Sequence, residues 1–532
     1  MAVCTTEITP TDMRAPAGGA RRAHPRLALG FGPPPWLCPL LACSVAWLAF
    51  RIVFFVGLVG SDDLYLLRYA ALWDRAPANG WEARLVGNLL TWVCLKAFGF
   101  SETAAVLPSI LASFALLATV VAYCVRQVGE RAGYWAGLAV AALPLDVEMA
   151  TQVSPHTLMS AWMAVGTVAL IAGAGSRRWR YVSAICLPLG VVTHLAGVYY
   201  VAALLAAALV LDRHRYGRAA VTVVLGGVLF VLADMVLFQL MFGDPLLRFR
   251  LCAGAAAEGR SITPLTPDGS LNLTFLWWPI IHLWFSKPFG LLLLVVLGLG
   301  SWNWRSLDTG MRVLLLTTTL TWLWISYGSI VPWDYRPFER MMRYLQPASF
   351  AIVVLFATLV AGTRHARFGF AVGGPALAVC VVNLLAGGSW DQSVPTSREL
   401  LRYAQRHPDV PYVTDHRTLN EMFVIAGMRA TANVSTTADV EPWKLFDRAA
   451  SPEKAGNTPP CDAVLVNPLN SARSNAFQEF VATHAGPVQF ETAPVYRTLC
   501  RILPPLKRYS WAVKRPPARV LACQAGAPQQ MD

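Results

Sequence analysis

Between residues 36 and 386 the chain is a succession of apolar runs, most of them close to the length that crosses a bilayer. A helix needs roughly 20 apolar residues to span hydrocarbon, and somewhat shorter ones fit inside a bundle. Backbone polar groups find no water there, so such runs can only be helical. The runs fall at 36–60, 103–125, 132–147, 157–174, 181–194, 196–211, 219–242, 287–302, 312–331, 345–362 and 368–386. Residues 84–99 are apolar but short, and Arg84, Lys96 and Gly99 interrupt them, which predicts a half-inserted or interfacial helix. Only 14% of residues are charged, against about 25% in soluble domains. The expected architecture is an α-helical polytopic membrane protein of about eleven spans plus an interfacial helix. A small α/β domain follows outside the membrane.

The net charge of +13 does not call for nucleic acid. Most arginines sit in short connections, at 126–131, 176–180 (SRRWR), 212–218 (DRHRYGR), 303–312 and 363–367 (TRHAR). Lys and Arg concentrate on the cytoplasmic side of membrane proteins. A cytoplasmic N-terminus puts every one of these clusters inside, provided that 84–99 does not cross. Residues 1–35, rich in Pro, Gly, Ala and Arg, read as a disordered basic cytoplasmic tail. They are not a secretory signal, since the apolar run that follows is too long.

Residues 387–532 become polar. PYVTD at 411–415 reads as a strand, HRTLNEMFVIAG as a helix and DAVLVN at 462–467 as a buried strand. SNAFQEFVATH reads as a helix and VQFETAPVYRTLCRI as one or two strands. The domain division is therefore 1–35, 36–386 and 387–532, with the last part on the periplasmic side. No glycine-rich phosphate loop or nucleophile elbow appears in it, so docking or acceptor selection is its expected role. Cys461, Cys500 and Cys523 lie in this region and leave room for one disulfide. No CxxC pair supports a zinc or haem-attachment site.

The candidate chemistry lies in the connections assigned to the outer face. Asp62 and Asp63 open an amphipathic stretch, 60–84, expected to lie at the membrane surface. They read either as a helix cap and a dipole partner or as reacting carboxylates. The second outer connection carries Asp146, Glu148 and His156, where Asp146 can instead end a helix and His156 begin the next. His194, at a span end, is either a satisfied core histidine or a ligand. The last outer connection carries Arg336, Arg340 and Arg343 against the positive-inside trend. They pair with Asp334 and Glu339 or hold an anionic partner. Arg84 snorkels from its helix or joins the site.

Together these groups suit transfer from a lipid-linked phosphate. Arginine holds phosphate bidentately. A carboxylate removes the proton of an attacking hydroxyl, and arginine stabilises the charge on the departing phosphate. Asp62 and Asp63 could also hold a divalent metal.

The order of these features resembles the GT-C superfamily of polyprenyl-phosphate-sugar glycosyltransferases, which includes protein O-mannosyltransferases and lipid A aminoarabinose transferases. SDDLYLLRYA resembles the acidic motif after the first span. GERAGYWAGLAVAALPLDVEMATQVSPH resembles the hairpin ending in a polar patch. GVVTHLAGVYYVAALL resembles the "LTK" stretch, and MMRYLQPASF the "RYLLP" stretch. The likeness extends over about residues 36–390. It implies that Asp62 or Asp63 is the base or a metal-adjacent residue, that Arg343 faces the donor phosphate, and that His194 stands where many relatives have lysine. The expected function is a membrane glycosyltransferase, inverting at the sugar carbon. It would move a sugar from a polyprenyl-phosphate donor to a hydroxyl of a lipid, glycan or protein at the outer face of a bacterial inner membrane. The competing readings are a transporter or flippase of a lipid-linked or anionic solute, which predicts internal repeats and midplane charges, and a non-catalytic envelope assembly partner.

Overall fold

The computed structural model describes residues 34–59, 62–73, 76–257, 270, 272–285, 289–329, 342–362, 366–386, 394–429, 432–436, 462–471, 475–491, 495–496, 505, 514–515 and 517–523. The expected basic tail, Asp334, Arg336, Glu339, Arg340, Cys461 and Cys500 lie outside these, as does the side chain of Asp62.

The helices in chain order are α1 (Leu37–Val53), α2 (Asp62–Leu72), α3 (Leu85–Phe98), α4 (Glu102–Gln127), α5 (Glu130–Ala142), α6 (Pro144–Ala150), α7 (Pro155–Gly173), α8 (Arg177–Thr193) and α9 (Gly197–Phe242). After these come α10 (Leu247–Ala257), α11 (Leu273–Phe285), α12 (Leu292–Trp302), α13 (Thr309–Tyr327), a 3-10 segment Met342–Ala348, α14 (Ser349–Ala361) and α15 (Ala366–Leu385). Local chemistry sets several ends. Ser101 accepts from Ala104 N–H at the start of α4, Asp308 accepts from Met311 N–H at the start of α13, and Pro144 and Pro155 occupy first helical positions.

One apolar core joins α1, α4, α5, α7, α8, α9, α13 and α14. Lipid-tail solvent gives helices little hydrophobic reason to associate, so close backbone approach matters. Gly137 of α5 faces Cys43 of α1 so tightly that an added Cβ would clash with its sulfur. The opposite condition holds along α9. Val221, Leu225, Val228, Leu232, Val236 and Leu240 are all more than half exposed and recur at helical spacing, the signature of a lipid-facing stripe. Five helical segments among the described residues are long and apolar enough to cross a bilayer: Glu102–Gln127, Pro155–Gly173, Gly197–Phe242, Arg343–Ala361 and Arg367–Leu385.

The spans expected at 196–211 and 219–242 both form, as two helices meeting at a kink within Gly197–Phe242, where Asp212 leaves helical geometry (φ −156°, ψ 78°). After Phe242 the chain forms a further helix, α10, that was not singled out in the sequence, before α11 begins at Leu273. A buried ion pair from Arg248 to Asp234 (2.8 Å) ties α10 to α9, and hydropathy alone cannot register such a pair.

The C-terminal elements are α16 (Val394–Arg406), β1 (Tyr412–Thr414), α17 (His416–Ile425), β2 (Val434–Thr436), β3 (Ala463–Val466), α18 (Pro468–Ser471), α19 (Asn475–His484), β4 (Ala485–Glu491), β5 (Val495–Tyr496), β6 (Lys514–Arg515) and β7 (Arg519–Cys523). Strands run in the order β2-β1-β3-β7-β4. The first three are parallel, with Tyr412 opposite both Val434 and Ala463. β7 lies antiparallel between β3 and β4, and β5 pairs with β6 separately. Alternation along β1 sends Tyr412 towards Leu400, Leu419 and Met422, and Val413 towards Phe477. Helices therefore cover both faces of this sheet. Strand β1, helix α17, strand β3 and helix α19 match the sequence reading closely, while α16, β2 and β7 were not anticipated. Cys523 is disulfide-bonded.

Inside the bundle, Arg51 of α1 meets Asp146 of α6, both fully enclosed. Arg51 Nη1 also donates to Ala141 O (2.7 Å), and Nη2 to Ser113 Oγ (3.1 Å). Ser113 Oγ donates to Asp146 Oδ2 (2.6 Å), and Trp47 Nε1 donates to Ser113 Oγ (3.0 Å). Removing one partner of a buried pair costs about 3–5 kcal/mol, because it strands the other charge. Asp146→Ala is accordingly expected to lower the apparent unfolding midpoint in detergent sharply. Arg51→Met with Asp146→Leu should recover most of that loss. A single variant as stable as the parent would show that the pair does not hold these helices.

Candidate active site

Asp63 is the second residue of α2 and is 4% exposed. Its Oδ2 accepts Val59 N–H at 2.5 Å, so the carboxylate folds back onto the segment that leaves α1. Helix α2 forms over the stretch predicted, and protein covers most of it. Leu64, Leu66, Leu67, Arg68, Tyr69 and Ala70 are all buried. Helix α3 packs against it on one side, while Val424 and Phe423 of α17 join the apolar cluster formed by Leu64 and Leu67 on another. The amphipathic pattern was read correctly as helix, but its polar positions are covered by protein.

A second set of groups converges around Trp81, just before α3. The guanidinium carbon of Arg84 lies 3.7 Å from the centre of the indole ring, and that of Arg343 lies 5.3 Å from the same ring. Arg343 also stands 5.9 Å from the ring of Tyr344. Each contact is a cation–π pair. Two guanidiniums on one ring also repel each other, and an anion placed between them lowers that energy.

Two histidines complete the group. His156, in the first turn of α7, and His194, capping the end of α8, have ring centres 4.2 Å apart. Tyr344 sits 6.0 Å from the first and 6.1 Å from the second. Both feel the charges of Arg84 and Arg343. His194 Nδ1 accepts Ala196 N–H (3.1 Å), which leaves the proton of the neutral ring on Nε2. Among the described residues, that Nε2 and both ring nitrogens of His156 have no hydrogen-bond partner. Buried polar atoms are almost always paired, so three unpaired nitrogens in one place mark a site where something polar belongs.

The sequence-predicted residues thus divide. Arg84, Arg343, His156 and His194 come together. Asp146, fully buried, is committed to Arg51 within the bundle and serves packing. Glu148 follows it on α6, half-buried. Arg336 and Arg340 lie outside the described residues, so of the three arginines only Arg343 is placed, against Trp81 and Tyr344. Among the described residues no three His, Cys, Asp or Glu side chains are grouped to hold a metal ion. Of the two acids considered for a divalent cation, only the side chain of Asp63 is described, and its carboxylate accepts Val59 N–H. Sequence reasoning missed Trp81 and Tyr344. Trp81 stands three residues before Arg84, and this proximity was the available signal.

A profile of the family described as Dolichyl-phosphate-mannose-protein mannosyltransferase matches residues 82–238. That stretch carries Arg84, His156 and His194. Among solved structures, ArnT from Cupriavidus metallidurans bound to undecaprenyl phosphate is similar at 14% identity and a TM-score of 0.56, over 93% of this chain and 99% of that one. Its apo form is similar at 14% identity and a TM-score of 0.55, over the same shares. Comparison with curated protein sequences finds no match.

The unpaired histidine nitrogens make a stability prediction. His156→Phe removes no hydrogen bond and relieves a buried polar group whose desolvation costs about 1–3 kcal/mol. The variant should unfold in detergent at the parent's temperature or above it. A midpoint several degrees lower would mean that His156 is a bonded structural residue.

Proposed function

We propose that this chain, which has the GT-C fold of polyprenyl-phosphate-sugar glycosyltransferases, moves one sugar from a polyprenyl-phosphate donor to a hydroxyl acceptor. The acceptor is a lipid, glycan or protein at the non-cytosolic face of a bacterial inner membrane. The observation that carries the reading is the convergence of Arg84 and Arg343 on Trp81 beside His156 and His194. This concentrates positive charge and neutral hydrogen-bond donors where a phosphate would sit. Undecaprenyl phosphate in the similar ArnT structure is a lipid of the class such a site would take.

In the proposed reaction Arg84 and Arg343 hold the donor phosphate, and the Nε2–H of His194 donates to it. Arg336 and Arg340 are proposed to join them from the same connection. Asp63 accepts the proton of the acceptor hydroxyl as its oxygen bonds to the sugar carbon. The bond from that carbon to the phosphate oxygen breaks, and its electron pair leaves with the phosphate. Arginine stabilises the growing charge. Attack opposite the leaving group inverts the sugar carbon. Asp62 is kept as the alternative base. Glu148 is proposed to line the acceptor side.

Orientation follows from charge and redox chemistry. The Arg-rich connections favour the cytoplasm. The disulfide at Cys523 favours an oxidising compartment for the C-terminal sheet. We therefore keep 387–532 as a periplasmic domain, with 36–386 as the membrane domain.

Mass spectrometry of cell-envelope glycans, with and without the protein, should show one sugar missing on deletion. Complementation with Asp63→Asn should leave it missing. Arg343→Ala should weaken binding of undecaprenyl phosphate to the purified full-length protein by about 10- to 100-fold, as loss of a charged hydrogen bond predicts. Full restoration of the glycan by Asp63→Asn, or unaltered binding by Arg343→Ala, would count against these assignments.

A further inference from the structure

The C-terminal elements reach the segment that holds Asp63 through a continuous set of bonds. Arg398 of α16 donates from Nη2 to Glu102 Oε2 (2.6 Å). The other oxygen of Glu102 accepts Leu58 N–H (2.6 Å). The next residue, Val59, gives its N–H to Asp63. On the other side, Gly57 N–H donates to Thr151 O (2.8 Å) and Val56 N–H to Thr151 Oγ1 (3.2 Å). Four consecutive amides, 56 to 59, are therefore each held by an acceptor. This segment has no regular secondary structure to hold it otherwise.

Gly57 shows how closely Glu102 is applied. It adopts φ +74°, and a Cβ there would collide with the Glu102 carboxylate. Only glycine meets both demands. Arg398 is about as enclosed as Glu102, with side chains 30% and 23% exposed. An ion pair this covered is screened less than a surface one. Its neighbourhood is built as well. Ser397 donates to Glu421 (2.6 Å) and accepts from Asn467 (2.9 Å), which fixes α16 against α17 and the end of β3. Val394 and Val424 pack into the same apolar cluster as Leu58, Leu64 and Leu67.

We infer that Glu102 and Arg398 are positioning residues for Asp63, and that α16 and α17 set the geometry of the proposed base. The inference rests on the reading of Asp63 as that base. It gives the C-terminal elements a part in the reaction that needs no chemistry of their own. Arg398 orients the Glu102 carboxylate, Glu102 holds Leu58, and the ordered Val59 amide aims the Asp63 carboxylate. A misplacement near 1 Å can cost about 100-fold in rate.

The test uses full-length protein, with transfer scored on the envelope sugar lost on deletion and binding scored with undecaprenyl phosphate. Arg398→Ala should lower transfer about 10-fold and Glu102→Ala up to about 100-fold. Affinity for undecaprenyl phosphate should stay at the parent's value in both. Arg398→Lys should recover most of the transfer. Exchanging the charges, Glu102→Arg with Arg398→Glu, restores an ion pair but gives Leu58 no acceptor, so transfer should stay low. Recovery by the exchange would overturn the inference in favour of a simple cross-link. Transfer at the parent's rate in both alanine variants, with Asp63→Asn inactive, would overturn it and leave the base assignment standing. An active Asp63→Asn would remove both. Should the alanine variants fail to accumulate, hydrogen exchange on Arg398→Met, which keeps the bulk but removes the ion pair, decides. Faster exchange at residues 56–59 with unaltered α7 supports the clamp, and unaltered exchange at 56–59 overturns it.

Discussion

A guanidinium inside hydrocarbon must be met by protein, and the pairing of Arg51 with Asp146 governs much of what surrounds it. The pair fixes α1 to α6 across 95 residues of sequence. Ser113 and the Ala141 carbonyl add α4 and α5 to the same knot. Buried ion pairs seldom add net stability over a packed apolar core. Here the pair specifies register. α6 runs directly into Thr151, and Thr151 takes the amides of Val56 and Gly57 as the chain leaves α1. The position of the segment before Asp63 is thereby inherited from a contact buried among the helices.

The site itself is arranged on the opposite electrostatic principle. Its cations are set close together on an aromatic face, with histidines beside them that have unfilled hydrogen-bonding capacity. Like charges held on one ring repel each other, and a nearby anion offsets that repulsion. Trp81 offers its ring to both guanidiniums. The differential stabilisation required for transfer would then come from charge that grows on the phosphate as the sugar departs. The knot of Arg51 holds its charges permanently neutralised, so it does not belong to this site, although both lie in the same bundle.

The sequence showed the membrane class, most helices of the bundle and the alternation of the C-terminal sheet, because these depend on local periodicity. It also led to Arg84, Arg343, His156 and His194 as site candidates. What it could not show was pairing over long separations. Asp146 looked like a site acid because its partner, Arg51, lies on another span. Helix α10 was not singled out, because its anchor is one buried pair, Arg248 with Asp234. Strand β7 escaped because RVLAC is short, and its place between β3 and β4 is tertiary. Glu102 carried no motif that would single it out, and only its two carboxylate contacts reveal a duty beyond the first turn of α4.

His194 shows how electrostatics could select a residue type. Many proteins that the chain resembles place lysine at this point. A lysine beside Arg84 and Arg343 would add a third cation to a cluster that already repels itself. Histidine avoids that. Its Nδ1 is occupied by the Ala196 amide, so the neutral ring presents Nε2–H as a fixed donor without a formal charge. His156, packed 4.2 Å away, then meets an uncharged neighbour, and the two rings can sit closer than two charged groups would tolerate. In this arrangement arginine supplies the charge and histidine the direction. In the proposed function such a group would hold the phosphate less by total charge than by where its donors point.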